Sequence, residues 1–131
     1  MARFCTILIF SVAIWSCTSP KQQSSTNTLR DSVTILHYLD SIETFINQND
    51  ESQAYALTLE GIKKFSNTSY TPGKAMLLQR AATLNYLYKV NLDSSVFYLN
   101  QLRNLSAQTG FEKGMVWYEH TLGKVYYTQN D

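Results

Sequence analysis

Residues 71–131 read TPGKAMLLQRAATLNYLYKVNLDSSVFYLNQLRNLSAQTGFEKGMVWYEHTLGKVYYTQND, and the fold follows from this stretch. Apolar residues recur three and four positions apart, never in sustained alternation, so the period is that of a helix and not of a strand. Thr71-Pro72 opens a helix, with Thr71 as the N-cap and proline at the first helical position, where no hydrogen bond is lost. That helix extends to about Val90, with Leu78, Ala81, Ala82 and Leu84 available for burial. Asn91-Leu92-Asp93 interrupts it. Asp93 is expected to cap a fourth helix carrying Tyr98, Leu102 and Leu105, and Gly110 falls where a left-handed C-terminal cap belongs. A fifth helix starts near Phe111, with Met115, Tyr118, Leu122 and Val125 on one side.

Working backward gives two more helices. One covers about 31–47, with Val33, Leu36, Leu39 and Ile46 among its apolar positions, and another about 51–65, with Ala54, Leu57 and Ile62. Asn49-Asp50 is the turn between them, and Asp50 is placed to cap the second helix. Short connections make neighbouring helices antiparallel. The fold class is therefore all-α, a short stack of antiparallel helix-turn-helix units over 29–131.

The N-terminus has a different composition. Arg3 is the only charge in the first sixteen residues, and FCTILIFSVAIW (4–15) is apolar but shorter than the roughly 20 residues of a spanning helix. A charged start and a short apolar core are the pattern of an export signal over 1–16. Ile14-Trp15-Ser16-Cys17 resembles the lipobox of bacterial lipoproteins: an aliphatic residue, a small residue, then the cysteine that is acylated. Trp15 is bulkier than that pattern usually shows. The resemblance implies lipid attachment at Cys17 and cell-envelope localisation, with a non-lipidated signal peptide or an uncleaved anchor as the alternatives, and the polar, non-acidic stretch after Cys17 favours a periplasm-facing domain. Several acyl chains at about 0.8 kcal/mol per buried methylene would hold such a protein stably. TSPKQQSSTNT after the cysteine is polar, so 17–28 reads as a flexible spacer.

Aligning the chain on itself at an offset of 38 superposes Leu84 and Tyr88 on Leu122 and Tyr126. Leu122, Gly123 and Tyr126 resemble the L-G-x-x-Y signature of helix A in the tetratricopeptide repeat; Leu84 and Tyr88 match it in an earlier copy, with Asn85 in place of glycine. The resemblance covers about 31–131 and is clearest over 72–131. It implies a tetratricopeptide-like α-solenoid that binds an extended peptide or protein partner on the concave face lined by the A helices. Carried over residue by residue, the groove positions are Gln79, Tyr86 and Lys89 in one repeat and Trp117, His120, Lys124 and Tyr127 in the next. Tyr88, Tyr118 and Tyr126 have core-like spacing. Helix five has no helix after it to cover its apolar side, which points to a continuing array, or to self-association through that helix.

Chemistry-bearing motifs are scarce. His37 and His120 are far apart in sequence, without cysteines or paired carboxylates at ligand spacing. Asp50-Glu51 reads as a helix cap, and Lys63-Lys64 as part of a solvated face. No phosphate loop, nucleophile elbow or metalloprotease motif occurs. With 11 basic and 10 acidic residues the chain lacks the basic footprint of a nucleic-acid binder. No cofactor or metal is expected, and the chain reads as a non-enzyme. The leading expectation is a membrane-tethered protein-binding scaffold. The alternative is the extracytoplasmic sensory region of a histidine kinase or helix-turn-helix regulator. A carbohydrate-uptake lipoprotein stands third.

Overall fold

The computed structural model describes residues 21–88 and 91–129. Within them lie α1 (Lys21–Asn47), α2 (Glu51–Lys64), α3 (Thr71–Leu87), α4 (Leu92–Thr109) and α5 (Glu112–Gln129), so the molecule is all-α. Residues 1–16, read from sequence as an export signal, and Cys17 and Lys89 fall outside the described residues.

Helix ends follow local chemistry. Asp50 accepts from the Gln53 N–H at 3.1 Å, and Asn49 takes the left-handed turn at φ 58°. Gly110 closes α4 at φ 68°, where a Cβ would strain the backbone. Two expected caps move. Tyr70 occupies the N-cap of α3, so Thr71 is already helical. Asn91 rather than Asp93 caps α4: its backbone is extended and its Oδ1 accepts from the Ser94 N–H at 3.0 Å. Asp93 lies in the first turn instead, where a carboxylate complements the helix dipole.

Helix α1 begins ten residues before its expected start at Asp31, so 21–28, read as spacer, is helical. No proline or glycine occurs from Lys21 to Glu60 to stop it. Two contacts hold the early part of α1 to the α2–α3 turn: Thr28 Oγ1 lies 2.6 Å from Ser69 Oγ, and Thr68 Oγ1 donates to Asp31 Oδ2 at 2.7 Å. The apolar face of α1 is also rotated from expectation. Ile35 and Ile42 are fully buried, whereas Val33 and Leu36 are exposed.

The helices stack in two layers. Each packs on its sequence neighbour, and α1 touches α3 while α3 touches α5. The backbones of α2 and α4 stay more than 8 Å apart. The layer of α1, α3 and α5 is therefore the tight one, and the stack opens on the α2/α4 side. Two apolar clusters meet across α3. Ile35, Ile42, Ala54, Phe65, Leu77 and Leu84 form one. Ala75, Leu78, Ala82, Tyr86, Leu99, Leu102, Tyr118 and Val125 form the other.

Burial corrects the repeat length. The buried residues of α2 are Ala54, Thr58 and Gly61, continued by Phe65, and those of α4 are Ser95, Leu99, Leu102 and Ser106. Each pair stands 41 positions apart, as do the caps Asp50 and Asn91, and Gly73 and Gly114 at the starts of α3 and α5. An offset of 38 instead pairs exposed Leu87 with buried Val125, so the Leu-x3-Tyr match is a coincidence of composition and not of position in the stack. Tyr88 and Tyr126, expected in the core, are exposed for the same reason; Tyr118 is buried.

Candidate functional site

With about 3.6 residues per turn, the buried positions of α3 divide into two faces. Leu77 and Leu84 look back to α1 and α2, while Ala75, Leu78, Ala82 and Tyr86 look forward to α4 and α5. The remaining arc holds Met76, Gln79, Arg80, Thr83 and Leu87, and it opens on the α1/α3/α5 face of the stack. Arg80 marks the α1 side, through an ion pair with Glu43 at 2.8 Å. A shift of 41 places Trp117, His120, Lys124 and Thr128 on the matching arc of α5. On α1 the neighbouring arc carries Leu29, Val33 and Leu36, which are 68%, 49% and 46% exposed. Leu87 adds a further 53% exposed side chain.

One end of this face is apolar, with Leu29, Val33 and Leu36 on α1 and half-buried Met76 and Trp117 on α3 and α5; Gln79, Thr83, His120 and Lys124 follow along it, and Leu87 lies about three turns beyond Met76. Trp117 is held in place: its ring meets Phe111 edge to face at 5.8 Å, and Lys113 Nζ sits 5.3 Å from its centroid. A preset aromatic loses little side-chain freedom when a partner covers it.

Of the groove positions expected from sequence, Gln79, Trp117, His120 and Lys124 lie on this face. Tyr86 does not. It is 8% exposed, enclosed by the α3/α4/α5 cluster, and burial raises its hydroxyl above the ordinary tyrosine value. Tyr127 also departs, lying on the outer side of α5 at 73% exposure. The positions that sequence reasoning missed are Leu29, Val33, Leu36, Met76 and Leu87. Leu29, Val33 and Leu36 stand at i, i+4 and i+7, a legible stripe, but the i, i+7 pair Ile35 and Ile42 wins the core because it lies within a wider apolar face, flanked by Tyr38, Leu39, Phe45 and Ile46.

The opposite side holds two small cavities of about 160 Å³ each. One is lined by Ile62, Phe65, Lys74, Leu77, Leu78 and Gln101. The other lies between α2 and α3, lined by Glu51, Tyr55, Leu84, Asn85 and Tyr88 among others. Asn85 Nδ2 donates to Tyr55 Oη at 3.2 Å and to the Ala81 carbonyl at 2.8 Å, leaving Oδ1 buried without a partner. Burial, with Tyr55 close by, holds the Tyr98 hydroxyl above the ordinary tyrosine value. Tyr38 donates to Glu60 at 2.7 Å and accepts from Lys64 at 3.0 Å, which raises the Lys64 ammonium above its ordinary value. Both cavities are well below the roughly 300–1,000 Å³ of small-molecule sites.

Among the described residues no three His, Cys, Asp or Glu side chains gather as a metal site, and no helix is long and apolar enough to cross a membrane. No family model matches the sequence, and neither a curated protein nor a solved structure is similar enough to it to count as a match.

Proposed function

We propose that this chain is a non-catalytic helical-repeat scaffold of the bacterial cell envelope, tethered by lipid at Cys17, that holds an extended peptide or protein partner across α1, α3 and α5. The observation that supports the reading is the set of exposed Leu29, Val33 and Leu36 on α1, on the same face as half-buried Met76 and the fixed Trp117 ring. Scattered single apolar residues on a surface need no explanation, but a contiguous patch with a polar rim marks an interaction surface. The two cavities of the other side are too small to compete as a primary site. The 41-residue spacing is longer than the about 34 residues of the tetratricopeptide repeat, so the kinship proposed is one of architecture: paired antiparallel helices with the A layer on the inside.

The partner surface can be located by placing a photo-crosslinking amino acid at Thr83 or His120, and separately at Asn100 on α4, in cells that express the chain. Discrete adducts from the first two and none from Asn100 are the expected result. Equal adducts from all three, or none from Thr83 and His120, would remove the reading. The tether is tested by metabolic labelling with a fatty-acid analogue, which is expected on the wild type and absent from Cys17→Ala.

A further inference from the structure

The outer side of α5 repeats the side of α3 that α4 covers together with α5. A shift of 41 positions carries Ala75, Leu78, Ala82 and Tyr86 onto Val116, Glu119, Gly123 and Tyr127. The first four are 0%, 7%, 0% and 8% exposed, packed in one cluster with Leu99 and Leu102 of α4. Their counterparts are bare: Val116 is 65% and Tyr127 73% exposed, and a Cβ built at Gly123 meets nothing within 4 Å. Three of the four positions keep an aliphatic, a very small residue and a tyrosine. Only Glu119 changes character.

Gly123 is an independent sign. Glycine inside a helix is destabilising relative to alanine, and here nothing in the chain's own packing forbids a methyl group. On α3 the matching residue, Ala82, is where α4 approaches the helix backbone: Ser95 Oγ donates to the Ala82 carbonyl at 2.8 Å. A residue without a side chain at 123 keeps the same backbone open to the same approach.

We propose that the Val116–Gly123–Tyr127 face of α5 docks an amphipathic helix of the α4 pattern, seated on α5 as α4 is seated on α3. The pattern is small-x3-Leu-x2-Leu-x3-small, as in Ser95, Leu99, Leu102 and Ser106, and its first hydroxyl residue donates to the Gly123 carbonyl. Leu78 and Gln101 line one cavity at the existing interface, so the docking helix carries a basic residue at the Gln101 position to meet Glu119. This surface lies on the outer side of α5 and does not depend on the partner face of α1, α3 and α5.

The test titrates a labelled peptide of sequence 92–109, and its Gln101→Lys version, into the full chain. Saturable one-to-one binding is expected, several-fold tighter for the lysine peptide at low salt. Gly123→Glu and Tyr127→Ala should each weaken it at least tenfold, whereas Leu36→Asp, on the partner strip, should leave it unchanged. Gly123→Ala should raise the melting temperature of the chain, and circular dichroism of Gly123→Glu should match wild type, which separates blocked docking from misfolding. Absence of saturable binding, or equal binding to Gly123→Glu, would overturn the proposal. So would sedimentation showing a dimer of the chain that Gly123→Glu dissolves and the peptides do not displace, since a second copy would then be the occupant.

Discussion

A methyl group added at Gly73 would lie 2.6 Å from Tyr70 Cδ1 and 2.9 Å from Ile35 Cδ1, closer than real carbon atoms pack. Both neighbours are held, Ile35 in the core and Tyr70 against it. Gly73→Ala is therefore expected to destabilise the fold by about 1–3 kcal/mol, the usual range for overpacking, read as a lower urea midpoint. An unchanged midpoint would show that Tyr70 swings aside freely. The same spacing recurs as Phe111 and Gly114, with Ser106 as the close neighbour, so aromatic-x-x-Gly is a repeat signature. It recurs in the sequence at 41 positions, but a two-residue signal is outweighed there by the longer Leu-x3-Tyr match at 38. Tyr86 carries a second prediction. Burial raises its folded hydroxyl above the unfolded value of 10.0, so the stabilisation from a neutral buried tyrosine is complete below pH 10 and is lost as pH rises through the folded value. Tyr86→Phe should leave the neutral-pH melting temperature nearly unchanged and move the alkaline unfolding midpoint upward; an unmoved midpoint would assign alkaline sensitivity elsewhere, with Tyr98 next in line.

At the scale of the helix, capping residues show how legible an end can be. Asp50 is the last cap-forming side chain before the apolar pattern of α2, and Asn49 ahead of it takes the left-handed turn, so this end is legible. Asn91 and Asp93 both suit the N-cap of α4, and the sequence alone does not choose between them. Asn91→Ala is expected to cost about 1 kcal/mol, and Asp93→Ala less, since only its favourable placement near the helix dipole is lost. Equal losses in thermal unfolding would mean that the cap is shared. The early start of α1 was not legible for a different reason. Gln, Ser, Thr and Asn serve equally as spacer or as the solvated side of a helix, and the contacts that decide, Thr28 with Ser69 and Asp31 with Thr68, span 41 and 37 positions. Rotation of its apolar face is also a tertiary outcome. Two apolar stripes run along α1, and the one that meets α2 and α3 becomes core while the other faces out.

Across the whole molecule, the all-α class and the pairing of sequence neighbours were legible from periodicity and short turns. Which exposed residues share a face was not, because that depends on the contacts α1–α3 and α3–α5 across the stack. Both clusters lean on α3, so damage on either side of it should spread. Leu99 and Leu84 are 0% and 2% exposed in the two clusters. Truncating either to alanine is expected to cost about 2–5 kcal/mol and to keep one cooperative transition. Two separated transitions would show that α1–α2 and α4–α5 melt as independent units.

The gap between α2 and α4 also sets how the stack responds to force. Their backbones do not touch, and Ile62 of α2 and Gln101 of α4 face one small cavity between them. Bending that widens this side therefore breaks few contacts, while the α1/α3/α5 layer acts as the hinge. The molecule is a leaf spring with its stiff leaf on the partner face, so its curvature can adjust to what lies along that strip without any helix unwinding.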